Sequence, residues 1–310
     1  MATDISERVV QAFFGTFGKR LRPIQEATFA QLEAGRDGLI VAPTGSGKTE
    51  AALAPVAQRL YGGASGQLRA LIITPRQALG GDLYARMAGA FAALSLRLDV
   101  ATGDKNTQSV AHPSDILIRT PEGLDSTLVR NPMALISVQE VVIDEIHTFL
   151  QDPRGTQLVG LLERLSTIAP GFRRLGVSAT VPDSSAPERV GLLDDPIKIH
   201  ASHDEGKLDL QWFDWHGEYS IAGERFLKFL RGCGVKKAIG FARSKAKVET
   251  LAKMLNQGYV RDRVFVHHSG ISRSSRSHTE QMLRGLPSAL VVATTTLEVG
   301  IDIGSVDTCI

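Results

Sequence analysis

The sequence predicts an α/β protein with parallel sheets, and three observations support this prediction. Short apolar runs alternate with longer helical patterns along most of the 310 residues. The runs are almost continuously apolar, which is typical of strands buried on both faces of a parallel sheet. The pattern breaks between Pro182 and Gly217, where turn-forming and charged residues cluster. We therefore expect two domains, residues 1–204 and 205–310, connected near residues 200–210.

The predicted strands are short and follow one another through both halves of the chain. In the first half they are 39–41, 70–73, 115–118, 141–143 and 175–177. In the second half a new series begins around 208–213 and continues with 238–241, 264–267, 289–293 and 308–310. Helical patterns fit between the strands, for example over 79–94 and 155–165. This alternation is the βαβ pattern.

Composition and charge permit a globular protein but do not identify a partner. Hydrophobic residues make up 43% and charged residues 22% of the chain, and the net charge is +2. So mild a charge does not by itself argue for a nucleic-acid partner. Cys233 and Cys309 lie far apart, which favours neither a disulfide framework nor a zinc site. Because no secretory pattern and no run near the ~20 apolar residues of a membrane span is visible, we expect a cytoplasmic protein without a membrane partner.

The most informative segment is a glycine-rich loop, APTGSGKT over residues 42–49, between an apolar run and a helix-forming run. Strand, glycine-rich loop and helix are the setting of a phosphate-binding loop. Its glycines let backbone N–H groups turn toward phosphate oxygens, and the helix N-terminus adds partial positive charge. Lys48 is expected to reach the β- and γ-phosphates, and the Thr49 hydroxyl to bind Mg²⁺. The expected nucleotide-binding residues here are Thr44, Gly45, Ser46, Gly47, Lys48 and Thr49.

Two carboxylates directly follow the apolar run 141–143. Ligands bind at the carboxyl ends of parallel strands, so we expect Asp144 to hold the Mg²⁺ that bridges the phosphates. Glu145 is expected to orient or deprotonate the attacking water, and His147 to hydrogen-bond across to another loop. A charged turn after a strand is the alternative for the Asp-Glu pair alone. The upstream phosphate loop favours the catalytic interpretation.

These two sites, followed by Ser178-Ala179-Thr180, occur in the order typical of superfamily 2 helicases of the DExH-box type, which the sequence resembles. The resemblance implies two RecA-like domains of the P-loop NTPase fold with ATP–Mg²⁺ in the cleft between them. It also implies that Ser178, Ala179 and Thr180 couple nucleotide state to nucleic-acid binding.

The segment from Arg22 to Gln25 resembles the adenine-reading motif of this family. A glutamine amide can pair with both N6 and N7 of adenine, so Gln25 is expected to select ATP. The resemblance adds Arg22 and Phe17 to the nucleotide-binding residues, with Phe17 or a nearby aromatic residue expected to stack on the base.

Two Thr-Pro segments resemble the first-domain motifs that hold the nucleic-acid backbone. Helix N-termini and small residues offer N–H groups to phosphates without reading sequence. Taken singly, each segment favours an ordinary helix start, because proline is common in the first helical turn. Two of them in the right order behind strands favour the functional interpretation. The residues concerned are Thr74, Pro75, Arg76, Thr120 and Pro121, with Gly103 as a contact between them.

The second half continues the resemblance, most strongly over residues 292–304, VATTTLEVGIDIG, whose wording is closest to the Lhr-like branch. That motif implies nucleic-acid contacts through Thr294 and Thr295 and ATP contacts through Gly300 and Asp302. Segments 239–244 and 267–270 match two further motifs and add Arg243 and Ser269 to the nucleic-acid-binding residues.

The last core motif of the family, whose arginines reach the γ-phosphate, is absent from residues 1–310. An arginine finger contributes ~10³–10⁵ in rate in related reactions, so we expect nucleotide binding to survive better than turnover. We expect the second domain to be incomplete at its C-terminus. Two explanations stay open, a fragment of a longer helicase and a short protein that does not unwind. The chain ends within a predicted strand, which favours the fragment.

The sequence thus predicts an ATP-dependent helicase or translocase core with ATP and Mg²⁺ as ligands. Its expected partner is single-stranded or partly duplex DNA or RNA, bound with little sequence preference. One alternative is an ATP-dependent nucleic-acid clamp with little turnover. The other is an NTPase that acts on protein or small-molecule partners, because phosphate loops serve many functions.

Overall fold

The computed structural model divides into two compact units, residues 1–206 and 207–310, which are described separately. The predicted boundary at 204 and 205 lies outside the described residues and stays a prediction. In the first unit the structure describes residues 7–15, 21–32, 35–43, 45–63, 66–101, 114–150, 152–181 and 183–200. In the second it describes residues 228, 232, 234–257, 264–268, 270–272, 275, 278–279, 282–283, 285–294 and 306–309.

The first unit contains a seven-stranded parallel sheet with the spatial order β3-β4-β2-β5-β6-β1-β7. The strands are β1 Gly38–Val41, β2 Ala70–Ile73, β3 Leu98–Val100, β4 Ile116–Arg119, β5 Glu140–Ile143, β6 Arg173–Ser178 and β7 Ile197–His200. The helices are α1 Glu7–Phe14, α2 Pro23–Gln31, α3 Lys48–Leu60, α4 Gln77–Ala93, α5 Pro121–Arg130, α6 Pro153–Ile168 and α7 Ala186–Arg189. Two 3₁₀ turns, Pro132–Leu135 and Ile146–Phe149, flank β5. The predicted parallel α/β architecture is confirmed.

Each face of this sheet carries its own apolar core. Successive strand residues point to opposite faces, so Ile72 packs with α1 to α4 while Leu71 packs with α5 and α6. Phe13 and Phe91 meet edge to face at 5.2 Å in the first of these cores. The central strands β2, β4 and β5 are buried at every position, which explains their continuously apolar sequence.

The second unit contains a four-stranded parallel sheet with the order β11-β8-β10-β9. Its elements are β8 Lys237–Phe241, α8 Lys245–Gln257, β9 Val264–His267, β10 Ala289–Ala293 and β11 Thr308–Cys309. Val248 on α8 packs against one face of this sheet, and Leu283 packs against the other. A carboxylate oxygen of Asp307 accepts hydrogen bonds of 2.8 Å from the backbone of Lys236 and Lys237, which joins β11 to β8.

The sequence did not reveal two strands, β3 and β7. The predicted interruption between Pro182 and Gly217 is wrong for residues 186–200, which include α7 and β7, whereas residues 201–217, with the strand predicted around 208–213, lie outside the described residues. Both β3 and β7 are edge strands of the first sheet. One side of an edge strand is open to solvent, so Ile197-Lys198-Ile199-His200 alternates apolar and polar residues and does not form an apolar run. Among the described residues no helix is long and apolar enough to cross a membrane.

Two glycines of α6 give opposite predictions for stability. A Cβ atom on Gly155 would lie 1.8 Å from the carbonyl oxygen of Phe149, whereas a Cβ on Gly160 would meet nothing within 4 Å. We expect Gly155→Ala to destabilise the chain by about 1–3 kcal/mol because the backbone must shift. Gly160→Ala should stabilise it by about 0.5–1 kcal/mol.

Thermal unfolding checks this pair, since about 1 kcal/mol moves the midpoint by ~2–4 °C in a unit of this size. Midpoints that shift equally, or in the reverse order, would contradict the close packing of α6 on Phe149.

Candidate functional site

The glycine-rich loop connects β1 to α3 at the carboxyl edge of the first sheet. Gly45 and Gly47 have φ values of +78° and +85°, in the left-handed region that favours glycine, and Gly47 caps α3. The Ala42 N–H donates to the Ser178 carbonyl at 3.1 Å, which holds the start of the loop beside the end of β6. The unpaired N–H groups of the first turn of α3 therefore lie at this edge, where Thr49 is partly buried.

The Lys48 ammonium and the two predicted carboxylates lie together. Lys48 is 6% exposed, and its Nζ lies 3.8 Å from Glu145 Oε1. Asp144 follows β5, and its N–H donates to the Ile73 carbonyl at 2.9 Å. Glu145 has a left-handed φ of +48°. Loss of water raises the pKa of Asp144 to about 6, the Glu145 charge raises it too, and Lys48 opposes both.

His147 connects this loop to the end of β6. Its Nδ1 lies 2.8 Å from Ser178 Oγ and 3.4 Å from Glu145 Oε2. The Ser178 hydroxyl donates to the Thr180 carbonyl at 2.7 Å, so it accepts from a protonated His147 Nδ1. This is a cross-loop hydrogen bond of the kind expected for His147. Ala179 lies between the two partners, at the same strand end.

Arg22 and Gln25, at the start of α2, contact the glycine-rich loop. The Gln25 amide accepts from the Arg22 N–H at 2.9 Å and donates to the Gly47 carbonyl at 3.5 Å. The Arg22 guanidinium donates to the Gly45 carbonyl. A primary amide has two N–H groups and two lone pairs, so Gln25 retains one of each, as recognition of an adenine edge requires.

The first-unit residues predicted to bind nucleic acid lie at neighbouring strand ends. Thr74 follows β2 and Thr120 follows β4, and the two are 1% and 9% exposed. The Thr74 N–H donates to the Arg119 carbonyl at 2.9 Å, while Thr120 caps α5 by accepting from Gly123 N–H at 3.4 Å. Since Ile73 pairs with β4 on one side and β5 on the other, these ends adjoin Asp144. Pro75 and Pro121 are buried, whereas Arg76 is exposed.

In the second unit, Arg243 is exposed after β8, and the Thr294 N–H donates to the His267 carbonyl at 3.1 Å after β10. Other predicted residues lie outside the described residues. They are Phe17, Thr44, Gly103, Ser269, Thr295, Gly300 and Asp302.

Two arginines near the strand ends of the first unit were not predicted. Arg119, the last residue of β4, is 8% exposed, and its guanidinium donates to the Gly123 carbonyl at 3.2 Å. Burial lowers the pKa of the Arg119 guanidinium. Arg154, at the start of α6, bonds Glu122 through two nitrogens at 2.8 and 3.1 Å. Only the folded chain brings Arg154 to Glu122, so no local sequence signal reveals this pair.

A family model described as DEAD/DEAH box helicase matches residues 22–188. The chain belongs to the DEAD/DEAH box helicase family. A second model, described as helicase conserved C-terminal domain, matches residues 224–310. The family predicted from the motifs is therefore confirmed.

The Lhr-like resemblance is confirmed by the relatives. The chain is 29% identical to ATP-dependent helicase Lhr-Core protein 2 of Thermococcus barophilus, with 98% of this chain and 39% of that protein covered. It is 28% identical to Lhr helicase/uracil glycosylase of Escherichia coli, with 98% and 25% covered. The chain spans 37–40% of the length of four Lhr-Core relatives.

Solved structures show the same fold. The Mycobacterium smegmatis helicase Lhr bound to ssDNA and AMP-PNP has a TM-score of 0.78 at 27% identity, over 97% of this chain and 43% of that chain. The DEAD-box helicase Mss116 bound to ssRNA and UDP-BeF has a TM-score of 0.79 at 18% identity, over 98% and 67%. The predicted RecA-like architecture is therefore confirmed.

The Gln25 geometry predicts a change in nucleotide preference. We expect Gln25→Ala to reduce the preference for ATP over GTP about tenfold, because two hydrogen bonds to the adenine edge are lost. Competition of each nucleotide against a fluorescent ATP analogue measures this preference. Gln31→Ala, on the exposed end of the same helix, is the matched control and should keep it. An unchanged preference in Gln25→Ala would remove adenine recognition from this residue.

Proposed function

We propose that this chain is the ATP-dependent motor core of a nucleic-acid helicase, which hydrolyses ATP to move along single-stranded DNA or RNA. The observation that carries the proposal is the grouping at one sheet edge of Lys48, Glu145 and the two threonine strand ends. The names of the relatives, and the ssDNA and AMP-PNP bound in the structure of Mycobacterium smegmatis Lhr, support it.

The residues of the glycine-rich loop, together with Asp144, offer suitable contacts for ATP and Mg²⁺. Backbone N–H groups at the α3 N-terminus and the buried Lys48 ammonium would hold the phosphates. The Thr49 hydroxyl and the Asp144 carboxylate are oxygen ligands of the kind Mg²⁺ prefers. In the described part of the chain, Ser46 Oγ and Glu145 Oε2 are buried without a hydrogen-bond partner. A phosphate and a water would satisfy these two atoms.

Glu145 is the residue proposed to handle the attacking water. Its Oε2, which lies 3.4 Å from His147 Nδ1 but has no hydrogen-bond partner among the described residues, would accept a proton from that water. Lys48 lies 3.8 Å from Oε1 and would bind the γ-phosphate. When bound, Mg²⁺ would neutralise charge that develops on the phosphate oxygens. The His147–Ser178 hydrogen bond holds the Glu145 loop against the end of β6, where Ser178, Ala179 and Thr180 are proposed to report the nucleotide state.

The nucleic-acid contacts are proposed to be contacts to the backbone. Thr120 caps α5, and Thr74 lies three residues before the start of α4. The N-termini of both helices offer N–H groups to phosphates. Arg76 adds an exposed cation beside Thr74. Phosphate contacts carry no base sequence, so binding should show little sequence preference.

Removal of the Lys48 ammonium tests nucleotide binding. We expect Lys48→Ala to weaken ATP binding at least ~100-fold, because a charge-assisted phosphate contact is lost inside a buried site. Calorimetric titration with a non-hydrolysable ATP analogue measures this loss. Lys198→Ala, at an exposed position on β7, is the control and should bind as the wild type does. Equal affinities in both variants would reject the phosphate-loop assignment.

Removal of the Glu145 carboxylate tests the proposed role of this residue in ATP hydrolysis. The same assay on the wild type tests whether the chain is a nucleic-acid-stimulated ATPase. Steady-state ATPase activity is measured with Mg²⁺ and with single-stranded DNA, single-stranded RNA or neither. We expect a strand to accelerate wild-type turnover, and Glu145→Gln to lower it ~10²–10⁴-fold while ATP still binds, because the general base is lost. Glu163→Gln, exposed on α6, should behave as the wild type.

Full turnover in Glu145→Gln would remove this residue from its role. Wild-type turnover that no strand changes would contradict the helicase proposal. If ATP and strand bind without turnover, the alternative of a nucleic-acid clamp is favoured.

A further inference from the structure

We propose that the ion pair between Arg154 and Glu122 is a positioning device, through which ATP binding at the Glu145 loop changes the affinity for nucleic acid at the α5 N-terminus. This inference rests on the proposed function. It assigns a role to a pair that lies outside the predicted site residues, and four consecutive contacts lead to it.

The first contact fixes the backbone that follows Glu145. The Glu145 carbonyl accepts from the Thr148 N–H at 2.9 Å and from the Thr148 hydroxyl at 2.8 Å. These bonds close the 3₁₀ turn Ile146–Phe149 directly onto the residue proposed to handle the attacking water. A shift of Glu145 when nucleotide binds must therefore move this turn.

In the second contact, the 3₁₀ turn Ile146–Phe149 packs closely against the start of α6. A Cβ atom on Gly155 would lie 1.8 Å from the Phe149 carbonyl oxygen, so only glycine permits this approach. Asp152 caps the helix by accepting from the Arg154 N–H at 2.9 Å. Because Phe149 is buried in the core that α6 shares, the turn and the first turn of α6 should move together.

The third contact crosses from α6 to α5. The Arg154 guanidinium bonds both carboxylate oxygens of Glu122, with Nε 2.8 Å from one and a terminal nitrogen 3.1 Å from the other. Two parallel bonds fix the angle of the two groups as well as their separation. Lysine, a point charge on a flexible stem, would keep the attraction but not this fixed geometry.

The fourth contact connects Glu122 to the N-terminus of α5, which is proposed to bind nucleic acid. Glu122 lies in the first turn of α5, two residues after Thr120, whose Oγ1 accepts from the Gly123 N–H. A displacement of Glu122 would therefore reorient the N–H groups at the α5 N-terminus and the Thr120 hydroxyl, which are proposed to contact phosphates. The chain of contacts from Glu145 to Thr120 stays within the described residues of the first unit.

A second ion pair joins the same two helices and provides a matched control. Arg164 lies 2.9 Å from Asp125, and both side chains are about as exposed as those of the first pair, at 50% and 43% against 31% and 55%. Exposed ion pairs contribute little to stability, so loss of either should leave the fold intact. The Arg164 pair, however, lies about two and a half helical turns along α6 from the Phe149 contact at Gly155.

The test measures the affinity of the 310-residue chain for a short fluorescent oligothymidylate by anisotropy, without and with Mg²⁺ and AMP-PNP. The ratio of the two dissociation constants is the coupling factor, and such factors are typically about 5–150. We expect Arg154→Ala and Glu122→Ala each to reduce the wild-type factor at least about threefold. The double variant should match Glu122→Ala, which already removes the ion pair and also loses the side-chain hydrogen bond between Glu122 and Thr120. Arg154→Lys should retain part of the factor.

Arg164→Ala and Asp125→Ala should keep the wild-type factor, and melting temperatures should show that every variant is folded. A wild-type factor in Arg154→Ala would overturn the inference. So would an equal loss in the Arg164 and Asp125 variants, because that would mark a merely structural effect. If the wild type binds both ligands without coupling, the inference is also wrong. If the wild type binds neither ligand, the proposed function itself fails.

Discussion

The parallel direction of every strand in the first sheet is the constraint on which the site depends. Because all strands run one way, the loops that follow β1, β2, β4, β5 and β6 emerge on one edge. Distant parts of the sequence meet there: the Ala42 N–H reaches the Ser178 carbonyl, and Thr74 reaches the Arg119 carbonyl. Helices α3, α4 and α5 also begin at this edge, so three N-termini with partial positive charge face the same side.

Charged side chains are buried at both edges of this sheet, and burial raises the pKa of Glu140 at the amino edge to about 7 as it raises that of Asp144 at the carboxyl edge. At the amino edge, buried charges pair within the chain, as in Arg69–Asp115 at 2.6 Å and Arg173–Glu140 at 3.1 Å. At the carboxyl edge, burial and the neighbouring carboxylate disfavour the ionised form of Asp144. One oxygen of Glu145 is buried there without a hydrogen-bond partner among the described residues. A cation and phosphate oxygens would stabilise this arrangement, which is why we propose that ATP and Mg²⁺ bind at the carboxyl edge.

The sequence predicted the central strands, the family and the positions of the strand-end residues, because continuous apolar runs and ordered motifs are local signals. It missed β3 and β7, whose exposed faces break the apolar run. It also missed the contacts that only the fold creates. The sequence predicted that Gln25 reads the base. It did not predict the hydrogen bond from Gln25 to the Gly47 carbonyl, because these residues lie 22 positions apart. The Arg154–Glu122 pair likewise depends on how α6 packs against α5, which no motif records.

We propose that nucleotide and nucleic acid both bind at the carboxyl edge of the first sheet. Hydrogen–deuterium exchange of backbone amides tests it most directly, because bound ligands slow exchange where they contact the chain. With Mg²⁺ and AMP-PNP, we predict slower exchange over residues 45–51 and 144–150. With a single-stranded oligonucleotide, we predict it over residues 74–80 and 120–127. Protection confined to the amino edge, around 35–37 and 171–174, or no protection with either ligand, would contradict the claim.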